Sequence, residues 1–300
     1  MAPQVPQTSE WSIKRLLEWT SEHFTKAEVQ QPRFCAELLL AHVLGCQRID
    51  LYVKFETCPD ESQLRRYREM VQRCGAHEPA AYLTGKAHFF SLEFAVNSDC
   101  LIPRPETETL VAQAIDFCRH QTHRPTVDVL DLGTGSGCVA IAIAANVVET
   151  EIIAVDNSHA ALEMARKNVE AHALQGRITM VESDLFAEVA KGEKGVFDLI
   201  VSNPPYISSG EYAKLDRTIR DYEPKEALQA GADGLDVIRR IVADAENYLA
   251  DDGGIMIEMA YNQAEPVKAL FDEADYLTDV NIIQDDLGHG RVLKAIRKDS

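Results

Sequence analysis

A loop that could hold a planar amino group follows an apolar run in the second half of the chain. The run at residues 196–201 predicts a buried strand, and Pro204 and Pro205 end it because each fixes φ and lacks an N–H. A substrate NH₂ group offers two donors, which the Asn203 side-chain oxygen and the Pro204 carbonyl could accept while Tyr206 packs against it. The nitrogen of an amide or aniline-like NH₂ group is a weak nucleophile because its lone pair is delocalised. Holding this nitrogen in line with an electrophile can lower the reaction barrier by on the order of 7–11 kcal/mol. Taken alone, the stretch is equally compatible with an ordinary loop.

A glycine-rich turn upstream predicts a second ligand. A strand that contains Asp131 runs into a G-x-G-x-G turn at residues 133–137, and an Ala/Ile-rich helix follows. Glycines let a ligand approach the backbone closely at a helix N-terminus. The spacing differs from the G-x-G-x-x-G dinucleotide pattern, and the Asp131 carboxylate disfavours a pyrophosphate and favours a ligand with an ammonium group. The alternative is a glycine turn of the kind found in any α/β protein.

Two further predicted strands end at carboxylates. Asp156 follows the run at 151–155, at a position where a carboxylate can accept both hydroxyls of a ribose. Asp184 follows the run at 178–181, where it could contact an adenine ring. Since ligands of open parallel sheets bind at the carboxyl ends of the strands, we expect these loops and the Asn203 loop to form one site.

The elements that position this site fall into three predicted segments. Residues 1–78 are predicted to form a small bundle of three amphipathic helices, which serves either as a binding module or as a packing appendage. Residues 79–105 are predicted as a hairpin linker, with Phe89–Val96 as a strand and Tyr82–Gly85 as a turn. Residues 106–300 are predicted to form the α/β domain that carries the loops.

Three details of these segments bear on function or boundaries. We expect Thr8 and Ser9 to cap a helix that begins near Trp11. The polar segment 208–235 is predicted as a lid or an irregular insertion, followed by a helix over 236–250. The runs around Asp285–Gly290 predict a closing antiparallel hairpin rather than another crossover.

Composition limits the classes of partner. The chain has 300 residues and a formal net charge of −18, and it lacks a sizeable basic patch. We therefore expect no direct nucleic-acid binding, whereas a basic protein partner is permitted and solubility alone is an equal explanation. The 7 cysteines form no C-x-x-C pair and the 9 histidines show no ligand spacing, so we expect reduced thiols and no metal site. Without a long apolar run or signal-peptide features, we expect no membrane association and a cytoplasmic location.

The order of these motifs resembles the class I methyltransferases that use S-adenosyl-L-methionine. The resemblance implies an α/β fold in which a seven-stranded, Rossmann-like domain ends in an antiparallel hairpin and carries a small N-terminal helical bundle. The Asn-Pro-Pro-Tyr loop is typical of members that methylate amide or exocyclic amino nitrogens. Three more stretches make the chain similar to the peptide chain release factor N5-glutamine methyltransferases from about residue 8 onward: Glu78–Gly85, Ile102–Glu108 and Arg220–Pro224.

The resemblance also implies residue roles. The implied cofactor-binding residues are Asp131, Gly133, Thr134, Gly135, Ser136, Gly137, Asp156, Asp184, Leu185 and Asn203. The implied catalytic and substrate-binding residues are Asn203, Pro204, Pro205 and Tyr206, with Arg104 added for the substrate. Leu185 departs from a tryptophan that some members carry, and a leucine stacks less well on adenine.

The implied reaction is direct in-line methyl transfer to the side-chain amide of the glutamine in the Gly-Gly-Gln loop of class 1 release factors. No catalytic Cys, His or Lys is expected, because the methylated amide cation loses its proton readily to water. We expect a monomer with its two domains hinged near residues 79–105. Three alternatives stay open: N5-glutamine methylation of a ribosomal protein, adenine-N6 methylation of nucleic acid, and a non-catalytic protein that retains the fold.

Overall fold

The structure is a computed structural model that describes residues 11–121, 125–189 and 196–299. It divides the chain into two compact units. The helical unit comprises Met1–Gly85 and Arg217–Tyr222, and the sheet unit comprises Lys86–Asp216 and Glu223–Ser300. The division differs from the sequence-based one, because the expected linker at 79–105 is shared between the two units.

The helical unit has its own apolar core, in which Leu17, Phe24 and Leu39 are fully buried. Ser12 caps the first helix by accepting from the N–H of Arg15, whereas the expected caps Thr8 and Ser9 lie outside the described residues. Its helices are α1 Ile13–Lys26, α2 Pro32–Leu44, α3 Arg48–Val53, α4 Glu61–Gly75 and α5 Ala80–Thr84.

The prediction of three helices missed two short ones. Helix α3 has only six residues, too few for a clear amphipathic period. The expected turn at 82–85 was wrong, because these residues form the end of α5 and its cap, Gly85, at φ +70°. The segment 217–222, which is remote in sequence, also belongs to this unit: the Tyr222 hydroxyl donates to the Ala76 carbonyl at 3.2 Å.

The sheet unit begins with a hairpin, as expected for the linker, but the turn of this hairpin lies inside the stretch 89–96 that was expected to be one strand. Strands β1 Lys86–Phe89 and β2 Leu92–Ala95 pair antiparallel around Phe90 and Ser91. Both turn residues have positive φ, +49° and +63°, which non-glycine residues rarely adopt. The carboxylate of Glu108 accepts from the Phe90 N–H at 2.8 Å and helps to hold this turn.

Helices and parallel strands then alternate along the sheet unit. The helices are α6 Glu108–His120, α7 Cys138–Asn146, α8 His159–Ala171, α9 Ser209–Tyr212, α11 Asp236–Ala245 and α12 Ala264–Asp272, with the single turn α10 Arg217–Arg220 in the helical unit. The strands are β3 Val127–Leu132, β4 Thr150–Asp156, β5 Ile178–Glu182, β6 Phe197–Ser202, β7 Leu249–Glu258, β8 Leu277–Gln284 and β9 Gly290–Arg297. The predicted helix over 236–250 was too long, since its last residues begin β7.

The main sheet has seven strands in the order β5-β4-β3-β6-β7-β9-β8. Strands β3 to β7 run parallel to one another, whereas β9 pairs antiparallel with both β7 and β8. The predicted α/β fold and its closing antiparallel hairpin are confirmed. Because the chain order reverses at β3, the carboxyl ends of β3, β4 and β6 border one crevice, where ligands of such sheets bind.

Apolar layers cover both faces of this sheet. One layer packs α6, α7 and α8 against residues such as Val129 and Leu199, and the other packs α11 and α12 against Leu130 and Ile200. Among the described residues, no helix combines the length and the apolar character needed to cross a membrane. The same residues contain no group of three or more His, Cys, Asp or Glu side chains able to hold a metal ion.

Candidate active site

The glycine-rich turn and the Asn203 loop lie side by side at the carboxyl edge of the sheet. Strands β3 and β6 are neighbours, and the Ser202 hydroxyl donates to the Leu132 carbonyl at 2.7 Å. A Cβ atom built on Gly133 would lie 4.0 Å from the backbone oxygen of Asn203. The structure therefore brings the two predicted ligand-binding loops together.

The glycine turn offers a cradle that a side chain would fill. Gly133, Gly135 and Gly137 have φ of +73°, +56° and +81°, which a residue with a Cβ adopts only with strain. A Cβ on Gly135 would meet nothing within 4 Å, so open space adjoins this part of the backbone. At Gly137 a Cβ would approach Ala165 Cβ to 3.3 Å, so this glycine lets α7 and α8 pack closely.

Asp131 is a buried carboxylate under the glycine turn. Its Oδ2 accepts a hydrogen bond of 2.6 Å from the Thr134 hydroxyl, and both side chains are buried. Burial raises the pKa of Asp131 to about 7, against the opposing effects of Thr134 and the Ala140 N–H. Within the described part of the chain no cationic side chain contributes to this balance, so a bound ammonium group would favour the ionised form. Ser136, also buried, has a hydroxyl with no partner among the described residues.

Asp156 ends β4 and supports the glycine turn. Its two oxygens accept from the N–H groups of Gly135 and Ser158, each at 2.9 Å. Burial raises the pKa of Asp156, and these backbone bonds oppose the rise. Each carboxylate oxygen has a second lone pair, so the group retains capacity to accept ligand hydroxyls beside the turn.

The turn after β5 places its two predicted residues differently. The Asp184 carboxylate is more than half exposed and is paired with Arg240 at 2.8 Å. Leu185 adopts φ +54°, which is rare for a leucine, and its backbone carbonyl accepts from the Ser183 hydroxyl at 2.9 Å. Leu185 packs partly against the apolar layer, so it can offer an apolar edge, whereas the Asp184 carboxylate is already engaged.

The Asn203 side chain is fixed by a residue from a distant part of the chain. Its Nδ2 donates to the Thr107 hydroxyl at 3.0 Å. Thr107 is 1% exposed; it is the last residue of the 3₁₀ turn Pro105–Thr107 and directly precedes α6. Because Thr107 engages the nitrogen, Oδ1 is the amide atom that remains to accept a ligand donor. A side chain fixed in this way suits the recognition of an NH₂ group.

Tyr206 is held at both ends. Its hydroxyl donates to Glu258 Oε1 at 3.3 Å, and its carbonyl accepts from Gln263 Nε2 at 2.9 Å. A Cβ on Gly234, which has φ +79°, would lie 2.3 Å from this carbonyl, so only glycine fits there. The ring therefore has a defined position after the two prolines.

Arg104 lies in the sheet unit but is already paired. Its guanidinium donates to Glu223 Oε1 at 2.5 Å, and the other oxygen of Glu223 accepts from the Ile102 N–H at 3.2 Å. The Glu223 side chain is 1% exposed and that of Arg104 is 26% exposed. In this arrangement the pair fixes the segment 102–105, and a role of Arg104 in substrate binding stays a prediction.

Cys138 follows the glycine turn directly and is the cysteine nearest to it in sequence. Burial raises the pKa of its thiol to about 12, and the Asp131 charge adds to the effect. A thiol with such a pKa is almost entirely protonated near neutrality and is a poor nucleophile. Its environment agrees with the expected structural role at the start of α7.

Two residues of this site were not assigned a role from the sequence. Glu258 ends the apolar run of β7, and a carboxylate inside such a run is a signal that could have marked it. Thr107 carried no comparable signal, because its contact with Asn203 joins positions 96 residues apart.

The sheet, its closing hairpin and the acidic strand ends define a class I methyltransferase. Residues 116–221 match the family described as the methyltransferase small domain. Among solved structures, the catalytic domain of hMettl16 in complex with the MAT2A 3′UTR hairpin 6 has a TM-score of 0.56 at 17% identity. The match covers 70% of this chain and 76% of that one, and it concerns the fold alone.

Closer relatives identify the family. A release factor glutamine methyltransferase of Rhodopirellula baltica is 43% identical over 284 residues, covering 94% of this chain and 95% of that protein. One from Geobacter sulfurreducens is 37% identical over 283 residues, covering 94% and 96%. Residues 15–85 match the PrmC N-terminal domain. The chain belongs to the family of release factor glutamine methyltransferases.

Proposed function

We propose that this protein transfers a methyl group from S-adenosyl-L-methionine to the side-chain amide N5 of the Gly-Gly-Gln glutamine in class 1 release factors. The observation that carries the proposal is the Asn203 amide, which Thr107 holds by its nitrogen so that Oδ1 remains as an acceptor. This acceptor belongs to a loop that adjoins the glycine turn. Family membership supports the same substrate class.

The glycine turn and two carboxylates would hold the cofactor. Asp131 would face its ammonium group and Asp156 its ribose hydroxyls, while the open space at Gly135 leaves room beside the backbone. Leu185 would border the adenine, with Asp184 nearby. The bound cofactor supplies an electrophilic methyl group on a sulfonium. The residues at this site fit such a group, since a buried carboxylate without a cationic partner gains from a positive ligand.

The amide loop would orient the substrate nitrogen. Asn203 Oδ1 and the Pro204 carbonyl would each accept one N–H of the glutamine NH₂, which fixes the direction of the nitrogen lone pair. Pro205 stiffens the loop and Tyr206 packs on the amide. The proton released after transfer goes to water, so the loop has to orient the amide rather than deprotonate it.

Charge supports a protein substrate over nucleic acid. The sheet unit, residues 86–216 and 223–300, holds 36 acidic and 18 basic residues, so it accounts for the whole net charge of −18. An acidic surface repels phosphates and favours a basic protein loop. We further propose that the helical unit grips another part of the release factor, and that the protein acts as a cytoplasmic monomer.

The test is methyl transfer from radiolabelled cofactor to a purified release factor and to its Gly-Gly-Gln→Gly-Gly-Ala variant. Label on the wild-type factor alone is expected. Parallel reactions with ribosomal proteins and with RNA or DNA test the alternatives. Label on a ribosomal protein or on nucleic acid, with none on the release factor, would refute the proposed substrate but would agree with methyl transfer from the cofactor.

A further inference from the structure

A buried carboxylate from a distant part of the chain holds the segment that leads to Thr107. Glu223, whose side chain is 1% exposed, accepts from the Arg104 guanidinium at 2.5 Å and from the Ile102 N–H at 3.2 Å. Both donors lie in the sheet unit together with Glu223, although 119 residues separate Arg104 from it. The two oxygens therefore fix a side chain and a backbone atom of one short segment. The proposed function assigns no role to Glu223.

The segment 102–105 has little conformational freedom of its own. Pro103 and Pro105 each fix φ, and each biases the residue before it towards an extended backbone. Arg104 has φ −102° and ψ +141°, as this bias predicts. A segment this stiff passes a displacement at one end on to the other end, so its position depends on the anchor at Glu223.

The other end of the segment enters the turn that holds Asn203. The Thr107 N–H donates to the Arg104 carbonyl at 3.1 Å, which closes the 3₁₀ turn Pro105–Thr107. The Thr107 hydroxyl then accepts from Asn203 Nδ2 at 3.0 Å. Hydrogen bonds and the covalent chain thus connect Glu223 to Asn203 without a gap.

Stability alone does not account for this ion pair. The cost of removing a carboxylate from water opposes the attraction of its partner, and apolar side chains of similar volume often stabilise a buried site equally well. The Arg104 side chain is 26% exposed and keeps access to water, whereas the Glu223 carboxylate depends on its protein donors. Apolar side chains would not supply directional bonds to both a guanidinium and a backbone N–H. The pair is therefore better suited to fixing a position than to adding stability.

We propose that Glu223 and Arg104 are positioning residues for methyl transfer, which place Thr107 so that its hydroxyl fixes the Asn203 amide. The inference rests on the proposed function and deepens it. If Thr107 moved away, the Asn203 amide would be free to turn over, and its NH₂ would then face the substrate NH₂ with donor against donor. Arg104 acts through the turn rather than by touching the substrate, in contrast to the substrate-binding role predicted from the sequence.

The experiment measures steady-state kinetics of the full chain with release factor, and cofactor binding by calorimetry. Glu223→Met keeps the length of the side chain but removes both carboxylate acceptors, whereas Glu223→Gln retains one acceptor oxygen of the two. Arg104→Met removes the guanidinium. Thr107→Val keeps the shape of the side chain but removes the hydroxyl, which Thr107→Ser retains.

The matched control is Asp198→Leu. Asp198 is also a buried carboxylate that accepts from a backbone N–H, that of Asp128 at 2.9 Å. It lies near the start of β6, at the opposite edge of the sheet from the amide loop. The control therefore removes a buried carboxylate from the same unit without touching the segment 102–107.

We expect Glu223→Met and Arg104→Met to lower kcat about 10- to 100-fold, because the acceptor at Asn203 loses its fixed direction. Glu223→Gln should lie between Glu223→Met and wild type. KM for release factor and the affinity for cofactor should change less than about 3-fold, since the pair touches neither ligand. Thr107→Ser and the control should retain kcat within about 3-fold.

A double variant gives the sharpest readout. Thr107→Val should lower kcat as far as Glu223→Met does, and Glu223→Met/Thr107→Val should lose little more than either single variant, because both changes break one chain of contacts. A carboxylate that only stabilised the fold would instead give independent effects that multiply.

Wild-type kcat in Glu223→Met, or multiplying effects in the double variant, would overturn the inference while leaving the proposed function intact. A raised KM for release factor in Arg104→Met alone would overturn it in favour of substrate binding by Arg104. An equal fall of kcat in the control would reduce the effect to lost stability. If Glu223→Met does not fold, Arg104→Met and its double variant with Thr107→Val decide in the same way. A wild-type protein that labels no release factor would overturn the proposed function itself, together with this inference.

Discussion

Replacing Glu258 by glutamine should make the sheet unit more stable above neutral pH. The side chain is fully buried, and burial raises its pKa from 4.5 to about 7. The folded state therefore binds a proton more tightly than the unfolded state does. Glutamine fills the same space without ever having to be ionised.

The size of the effect follows from proton linkage. Between pH 4.5 and about 7 the folded state holds the proton that the unfolded state has lost, so the free energy of unfolding falls as the pH rises. This contribution is fully present below the unfolded pKa and is lost above the folded one. Each pH unit between the two pKa values lowers the free energy of unfolding by about 1.4 kcal/mol, so the whole interval lowers it by about 3 kcal/mol. Wild type should show this loss at pH 8, and Glu258→Gln should not.

Hydrogen exchange provides the assay, because it reports opening free energies strand by strand. Exchange of the β7 amides is measured at pH 5 and pH 8 for both proteins and corrected for intrinsic rates. At pH 8 the variant should be better protected than wild type by up to roughly a hundredfold, with a much smaller difference at pH 5. The amides of α1 and α2 serve as internal controls and should not change. Tryptophan fluorescence would not serve, since Trp11 and Trp19 both lie in the helical unit.

An equal difference between the two proteins at both pH values would refute this reasoning. So would a variant that is less stable than wild type at pH 8, because the hydrogen bond from Tyr206 would then outweigh the burial of charge.

Four further outcomes are expected. Asn203→Ala should bind S-adenosylmethionine normally but lose methyl transfer by several orders of magnitude, because orientation and not the cofactor cradle is removed; joint loss in calorimetry and kinetics would contradict this. Cofactor affinity should rise about fivefold between pH 6 and 7 and about tenfold by pH 8, where it levels off, since only ionised Asp131, whose pKa is about 7, holds an ammonium group; an affinity that is constant or falls with pH argues against that contact. Gly234→Ala should lower the free energy of unfolding by about 1–3 kcal/mol more than Gly288→Ala does. Gly288 is the control because it has a similar φ but nothing within 4 Å of an added Cβ. Equal losses of the two variants in denaturant titrations would show that the added Cβ at 234 does not clash with the amide loop. Cys138→Ala should keep kcat within about 3-fold, because a thiol whose pKa is about 12 contributes no nucleophile; a fall to background activity would restore the cysteine as a candidate.

The sequence predicted those parts of the fold that local pattern determines. The apolar runs at 127–132 and 197–202 and the glycines between strand and helix identify parallel strands and a ligand loop, and the structure places them as neighbours. Asp131 was likewise recognisable as a candidate ligand-binding residue, since a carboxylate just before a glycine turn has few structural uses. These signals are contained within a few consecutive residues.

Other features depend on contacts that no local pattern contains. The β1–β2 turn uses Phe90 and Ser91 rather than Asn-Gly, so its alternating pattern resembled a single strand. The pairing of Asp184 with Arg240, 56 residues away, is indicated by nothing near Asp184 in the chain, and the assignment of Asp184 to the adenine stays a prediction. Glu258 became interpretable only when Tyr206 was found beside it.

The assignment of residues 217–222 to the helical unit affects how this protein can be divided. The chain passes between the two units at residues 85–86, 216–217 and 222–223, so neither unit is one continuous stretch. A chimaera that exchanges only residues 1–85 for those of a relative would lose native partners such as the Ala76 carbonyl that accepts from Tyr222. Modular transfer of the helical unit therefore requires two grafts, and the second follows the amide loop by only eleven residues, counted from Tyr206 to Arg217.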